Sequence, residues 1–411
     1  MFMTLLLPVA LTLVGVVILV KTRFFLFLHP IKTCRSILDG LKDRSARRAL
    51  WLALAGTLGV GNIFGVSAGI MIGGAGCLFW IFFSSFFSMM VKYSEILLTF
   101  DSNNKRSGFS SVILSSFGGF GRPAYIVYTV ATVLLALFMG AGIQVGALSD
   151  VSKNALGLNP SPTAFFLLIL FIPCMIGGAE RIEKITEIII PLTTIIYIIM
   201  CFGVVFVKIE RFSDVIYEVF TSAFSFRSCA GGTVAIAIKE GFSRGVLSNE
   251  AGLGTSSLAH SRSKVKCAHT AGLFGICEVF FDTTLLCCLT GLAILISTPN
   301  YSEYKTPMSL IYHTFAGTLG DFFGIVLLFL ILAFSYSTVI CWYFYGLEHS
   351  RAIHSKSVGI FPLLFIAFFF VGGMTSSTFI LYSTDMIILL MSLITLITIM
   401  INRKRITKPQ I

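Results

Sequence analysis

The sequence predicts an all-α polytopic membrane protein with about eleven transmembrane helices. Three observations predict it. Charged residues make up 12% of the 411 positions and apolar ones 56%, whereas an ordinary soluble domain is about 25% charged. Apolar runs close to the ~20 residues that cross a bilayer recur along the whole chain. The basic residues crowd into a few short connections between those runs, which is the pattern that orients a membrane protein. The net charge of +11 is therefore read as topology and not as a nucleic-acid footprint. The ten cysteines lie mostly inside apolar runs and include no C-x-x-C pair, so they read as small apolar fillers.

In chain order, residues 2–20 carry no charge and are followed by Lys21 and Arg23. A signal peptide has its positive charge ahead of the apolar run, so this segment is expected to be a spanning helix with its N-terminus outside. Further helices are expected at 49–72, 77–99, 122–149, 162–178, 186–207, 213–241, 268–297, 318–345, 357–373 and 382–402. Alternate connections then fall inside, at 21–48, 92–122, 179–187, 239–266, 346–356 and the tail beyond 402. Every Lys and Arg lies in them except Lys153, Lys208, Arg211, Lys305 and Arg227. This predicts a multi-pass protein of the cell membrane with a cytoplasmic C-terminus.

With segment 1–48 (first helix and basic loop) set aside, ten helices remain in two sets of five, 49–207 and 213–402, before a basic tail at 403–411. An odd number per set forces opposite orientations, so the sets are expected to form an inverted repeat. The first member of each set is interrupted, at Gly56–Asn62 and at Ser225–Thr233. Paired broken helices in corresponding positions are the best sequence pointer to a transport site, because irregular backbone at bilayer depth survives only where protein or a cavity covers it.

At the first break, Gly56, Gly59 and Gly61 loosen the helix by about 1 kcal/mol each relative to alanine. The freed peptide groups, with the side chains of Thr57 and Asn62, can hold a substrate carboxylate and a cation; Gly59, Val60 and Gly61 are the expected backbone contacts. The competing reading is close helix packing. Gly231, Gly232 and Thr233 are expected to face the same solute from the second break, or to pack a half-helix. Gln144 either bonds substrate or bridges helices. Asp282 stands at the centre of an apolar run, costs at least ~2.5 kcal/mol there, and so is a candidate functional carboxylate. Glu278 lies one turn earlier on the same face. Arg227 is either a vestibule cation or an arginine that snorkels to the surface. Ser248–Gly254 is glycine-rich and polar and is expected to be a cytoplasmic loop or gate packing against the broken helices. No segment carries the spacing of an intramembrane hydrolase or a nucleophile elbow.

The run Gly56-Thr57-Leu58-Gly59-Val60-Gly61-Asn62-Ile63-Phe64-Gly65-Val66 resembles the signature of the alanine or glycine:cation symporter family. So do Gly73–Gly76, Lys92-Tyr93, Glu95, Gly177-Gly178, Arg181–Glu187, Arg244–Thr255 with Ala259-His260, and Phe281–Thr283. The sequence departs from the family at Ala75, where a proline is usual, and at Val145-Gly146. The resemblance implies a sodium-symporter-like fold of two inverted five-helix repeats. It implies a sodium site made by Ser337 and Thr338 with the carbonyls of Ala55, Leu58 and Phe334. It also places Asp282 near Thr57 and Asn62, as ligand to a second cation or to a substrate ammonium.

The expected function is that of a sodium-coupled secondary transporter importing alanine or glycine by alternating access; the alternative is proton coupling through Asp282. Expected partners are a small neutral amino acid, the sodium ion and the lipid bilayer, with no nucleic acid, no cofactor besides the co-transported sodium, no enzymatic activity and a monomeric chain.

Overall fold

The computed structural model describes residues 2–101, 108–157, 160–225, 234–353, 357–374 and 377–407. The described elements are all helical. α1 (Phe2–Lys21) is followed by a reversal at Arg23 and Phe24, both in the left-handed region. Short helices α2 (Phe25–Leu28) and α3 (Pro30–Gly40) come next. α4 (Arg44–Thr57) opens on Asp43, whose carboxylate accepts the N–H groups of Ser45 (2.7 Å) and Ala46 (3.1 Å), satisfying two of the orphan donors of a helix start.

α5 (Gly61–Gly73) continues α4 at an angle of 45°. Gly74, at φ 73, turns the chain into α6 (Gly76–Phe100). α7 (Ser110–Ser116) leads into the long rod α8 (Gly118–Lys153), which contains a π-helical stretch over Ala136–Ile143. α9 (Pro160–Val207) is two helices meeting at Gly178, where φ 63 and ψ −174 break the rod; only glycine takes that backbone without strain.

The second half begins with α10 (Phe212–Phe224) and α11 (Val234–Asn249). A buried turn, 250–256, separates α11 from the single turn α12 (Ser257–His260). α13 (Ala268–Ser297) carries a second π-helical stretch, Phe280–Cys287. α14 (Pro307–Leu319), α15 (Asp321–Ile353), α16 (Ser357–Met374) and α17 (Ser377–Ile401) complete the chain.

Six of these helices are long and apolar enough to cross a membrane, and the bent pair α4–α5 makes a seventh. The expected eleven also included 2–20, 162–178 and 357–373, which form shorter apolar helices. The span expected at 213–241, with its interruption at 225–233, corresponds to two described helices, α10 and α11, on either side of residues 226–233. Arg227 and the triplet Gly231, Gly232 and Thr233 lie outside the described residues.

α6 packs on α1, α11 and α13, while α15 packs on α4, α8, α9 and α16. The broken pair and α11 lie between these groups and run antiparallel. A methyl at Gly73 would meet Ala237 and Glu240; one at Gly61, at the other end, would meet Leu247 and Ser248.

The basic connections gather at one end of the molecule. The Lys264 N–H donates to Ser45 Oγ (2.9 Å), Arg48 pairs with Glu187 (2.9 Å), and Arg262 pairs with Glu183. Arg405 pairs with Asp101 (2.6 Å) and Lys21 reaches the Arg403 carbonyl. A cavity of about 1160 Å³ opens here, lined by Arg44, Arg48, Glu183, Arg262 and Tyr343 among others. Three basic residues expected in these connections lie elsewhere. Lys92 is inside α6, Lys239 and Arg244 are inside α11, and Lys92 and Arg244 are buried. Each has a carboxylate within ion-pair distance, which is what allows a cation to sit among apolar side chains.

Candidate functional site

The site grows from the failure of α4 to continue. Leu58 leaves the helical region at ψ 74. The Gly59 N–H, which would close on Ala55 in an unbroken helix, donates instead to Thr57 O (2.8 Å) and Asn62 Oδ1 (3.3 Å). The Val60 N–H donates across to Gln144 Oε1 (3.2 Å), and Gln144 itself bonds back to Met139 O (3.3 Å). Gln144 therefore bridges helices, and it does so at the break. The turn from 58 to 60 needs the glycine at 59 for a second reason: a methyl there would run into Thr338 Oγ1 on α15.

The bend aims Asn62 at α13. Its Nδ2 donates to Asp282 Oδ1 (2.5 Å) and to the Asp282 carbonyl (3.1 Å). The other carboxylate oxygen accepts from Ser248 Oγ (2.6 Å) and Thr283 Oγ1 (2.7 Å), and Asn249 Nδ2 donates to Thr283 Oγ1 (3.0 Å). All of these side chains are completely buried. Neutral donors hold the Asp282 carboxylate, with no Lys, Arg or His in ion-pair distance among the described residues. A buried carboxylate in such a setting is short of positive charge.

On the opposite wall, α15 turns Ser335, Ser337, Thr338 and Trp342 toward the break or its surroundings. Thr338 Oγ1 is buried and has no hydrogen-bond partner among the described residues, although an alcohol in a helix ordinarily bonds its own backbone. Ser337 does just that, donating to Ala333 O (2.9 Å) and Phe334 O (3.0 Å). Thr57 lies 3.4 Å from Leu54 O and 3.5 Å from Ala53 O, also within its own helix. Ser335 Oγ donates to Gln144 O (3.4 Å), and the Trp342 indole N–H donates to Gly56 O (3.3 Å).

The fold thus brings Thr57, Gly59, Val60, Gly61, Asn62 and Gln144 together, with Asp282 against one side and Thr338 against the other. Ala55, Leu58 and Phe334 are buried around the same point.

The segment Ser248–Gly254, expected as a loop or gate packing against the broken helices, lies inside the fold and packs on α4–α5 and α13. Ser248 and Asn249 end α11 and touch the Asp282–Thr283 pair, and 250–256 is buried and irregular. Left-handed backbone at Glu250 (φ 56), Gly252 (φ 89) and Gly254 (φ 72) forms it. This turn approaches the first broken helix at Gly56, where a methyl would stand 3.4 Å from Glu250 Oε1. Glu278, one turn before Asp282, lies 3.2 Å from Lys92 Nζ and 3.0 Å from His260 Nε2. Ser248 and Asn249 were detectable as a polar pair beside Gly252 and Gly254; the sequence does not distinguish a buried unwound turn from an exposed one.

Comparison with known proteins accords with this arrangement. The sodium/alanine symporter AgcS of Methanococcus maripaludis is 30% identical over 347 residues, covering 81% of this chain and 76% of that protein. The amino-acid carrier protein AlsT of Bacillus subtilis is 26% identical over 387 residues, covering 92% and 82%. The sodium/proton-dependent alanine carrier protein of Bacillus sp. (strain PS3) is 28% identical over 357 residues, covering 81% and 80%.

Among solved structures, MhsT in complex with L-phenylalanine superposes with a TM-score of 0.58 at 15% identity, covering 86% of this chain and 87% of that one. The manganese transporter of Eremococcus coleocola superposes at 0.53 and 12%, covering 85% and 76%. At those identities the likeness concerns the fold. The family model described as the sodium:alanine symporter family matches residues 1–409, and with its transporter relatives it identifies a multi-pass membrane carrier and not an enzyme: the chain belongs to the sodium:alanine symporter family.

Proposed function

We propose that this protein is a sodium-coupled importer of a small neutral amino acid, alanine or glycine, working by alternating access. The observation that carries the reading is the pair of groups flanking the first break, a carboxylate held only by neutral donors and a hydroxyl without a partner among the described residues. Asp282 lacks a cation on one side, and the Thr338 hydroxyl lacks a partner on the other. Sodium is a hard ion that takes oxygen ligands. In this reading Thr338 Oγ1 and the carbonyls of Ala55, Leu58 and Phe334 supply them, with Ser337 turning from its own helix to join. Asn62 and Asp282 hold a second cation or the substrate ammonium. Thr57, the backbone of Gly59–Gly61 and Gln144 hold the substrate carboxylate, with Gly231, Gly232 and Thr233 as further contacts.

The small volume left by Gly59 against Thr338 favours a solute with a short side chain. The name of the AgcS relative supports alanine as solute and sodium as driver. The basic end of the molecule is assigned to the cytoplasm, so the N-terminus is outside and the C-terminus inside.

Ion and solute drive the cycle because both stabilise the same closed arrangement of the two breaks; a ligand shifts an equilibrium only by its differential affinity. The test is uptake of labelled alanine into proteoliposomes. An inward sodium gradient is expected to drive accumulation and a potassium gradient is not. Equal uptake under both sinks sodium coupling.

A second reading, proton coupling through Asp282, draws on the sodium/proton-dependent carrier among the relatives. Asp282→Asn separates the two: it abolishes proton-driven uptake and leaves part of any sodium-driven uptake.

A further inference from the structure

Beyond the solute site, a second buried polar cluster lies between α6, α13 and the turn 250–256. It contains Lys92 and Glu95 on α6, Glu278 on α13, His260 on α12 and Glu250 in the turn, all fully or almost fully buried. Glu278 takes both basic groups of the cluster, with Lys92 Nζ at 3.2 Å and His260 Nε2 at 3.0 Å. That leaves Glu95 and Glu250 with no cation in ion-pair distance among the described residues. Two further ionised carboxylates in a dry interior would be an uncompensated charge costing several kcal/mol. A buried acid with no partner neutralises instead.

Hydrogen bonding separates the two acids. Glu95 Oε1 accepts the Gly252 N–H at 2.6 Å, and an amide donor favours a carboxylate. Glu250 Oε2 meets only the Thr255 hydroxyl, which can accept a proton as readily as give one. Glu250 Oε1 is buried with no hydrogen-bond partner. It lies beside the first break, 3.4 Å from where a methyl on Gly56 would stand, in the company of the Tyr345 ring and Cys341 Sγ. The Tyr345 hydroxyl is also buried without a partner. The other groups acting on Glu250 are Lys92 from α6, Glu278 and Asp282 from α13, and Tyr128 from α8.

We propose that Glu250 is a proton-binding site, filled in this arrangement, placed where the turn after α11 touches the first broken helix at Gly56. The step is a simple one: the Glu250 carboxylate takes a proton from water and becomes a neutral carboxylic acid, and the reverse returns it. Because Glu250 sits in strained left-handed backbone in the turn that joins α11 to α12, movement of that turn carries the acid between a dry and a wet setting. Proton release then accompanies opening toward the end of the molecule where Leu258 and Ser261 line the large cavity.

The experiment is infrared spectroscopy of the full chain in lipid near neutral pH with sodium and alanine present, reading the carbonyl stretch of a protonated carboxylic acid by hydrogen–deuterium shift. The wild-type band is expected to disappear in Glu250→Gln and to persist in Glu95→Gln. No such band in the wild type, the same band in Glu250→Gln, or its loss in Glu95→Gln overturns the assignment. Should Glu250→Gln fail to assemble, Glu250→Asp must move the band, and an unmoved band overturns it equally. The readout does not measure uptake, so its failure is distinct from failure of sodium coupling.

Discussion

Asn62 illustrates how one side chain joins two helices. Its amide answers both the carboxylate and the carbonyl of Asp282 while its oxygen takes the Gly59 N–H. Asn62→Ala removes a hydrogen bond to a charged group, about 1.5–3 kcal/mol. It is expected to abolish uptake while the protein still inserts and purifies as a monodisperse species; unchanged uptake removes Asn62 from the site. Thr338→Val keeps the shape and deletes the unpartnered oxygen. Loss of one ligand of about 1.5–3 kcal/mol corresponds to roughly 10- to 150-fold in sodium affinity, read as a rise in the sodium concentration for half-maximal uptake with little change in melting temperature. Gly59→Ala drives a methyl into that same hydroxyl; overpacking of about 1–3 kcal/mol is expected to lower both stability and uptake. Asn62 and Asp282 were legible in the sequence because polar groups at bilayer depth are costly and need a reason. The division of labour between Ser337 and Thr338 was not, because two adjacent hydroxyls on a helix differ only in which neighbour they face.

At the scale of elements, two irregular stretches, 58–60 and 250–256, differ in how they are made. The first is a glycine-loosened bend of 45° between two helices of similar length. The second is a longer turn in which three left-handed residues, Glu250, Gly252 and Gly254, are packed into the interior. Gly252→Ala puts a side chain into φ 89 and against Ser392. Strain of about 1–3 kcal/mol is expected to lower the melting temperature and to uncouple α11 from α12, measured as loss of substrate-induced thermal stabilisation. A variant that retains full stabilisation by alanine contradicts this role. The first break was readable because glycines interrupt an otherwise continuous apolar run. The expected second break, Ser225–Thr233, falls almost wholly outside the described residues; the burial of Ser248–Thr255 was not legible because its composition is that of a solvent-exposed loop, and contacts with Glu95, Tyr128 and Asp282, distant in sequence, bury it.

Over the whole molecule, the site lies between two sets of buried ion pairs. Arg244 joins Glu240 and Asp385 toward the α10 end, and Lys92, Glu278 and His260 lie toward the basic end. The helical membrane class was legible from composition and run length. The span count was less so, since 2–20, 162–178 and 357–373 form shorter apolar helices and α9 bends at one glycine.

The account rests on an ion and a solute sharing one closed interior, which makes their binding reciprocal. The most direct measurement is equilibrium binding of labelled alanine to the purified protein across a sodium series at constant ionic strength, repeated in Thr338→Val. The account predicts that alanine affinity rises with sodium, that alanine raises sodium affinity by the same factor, and that the variant needs more sodium for the same effect. Alanine binding that is identical in sodium and potassium would contradict it.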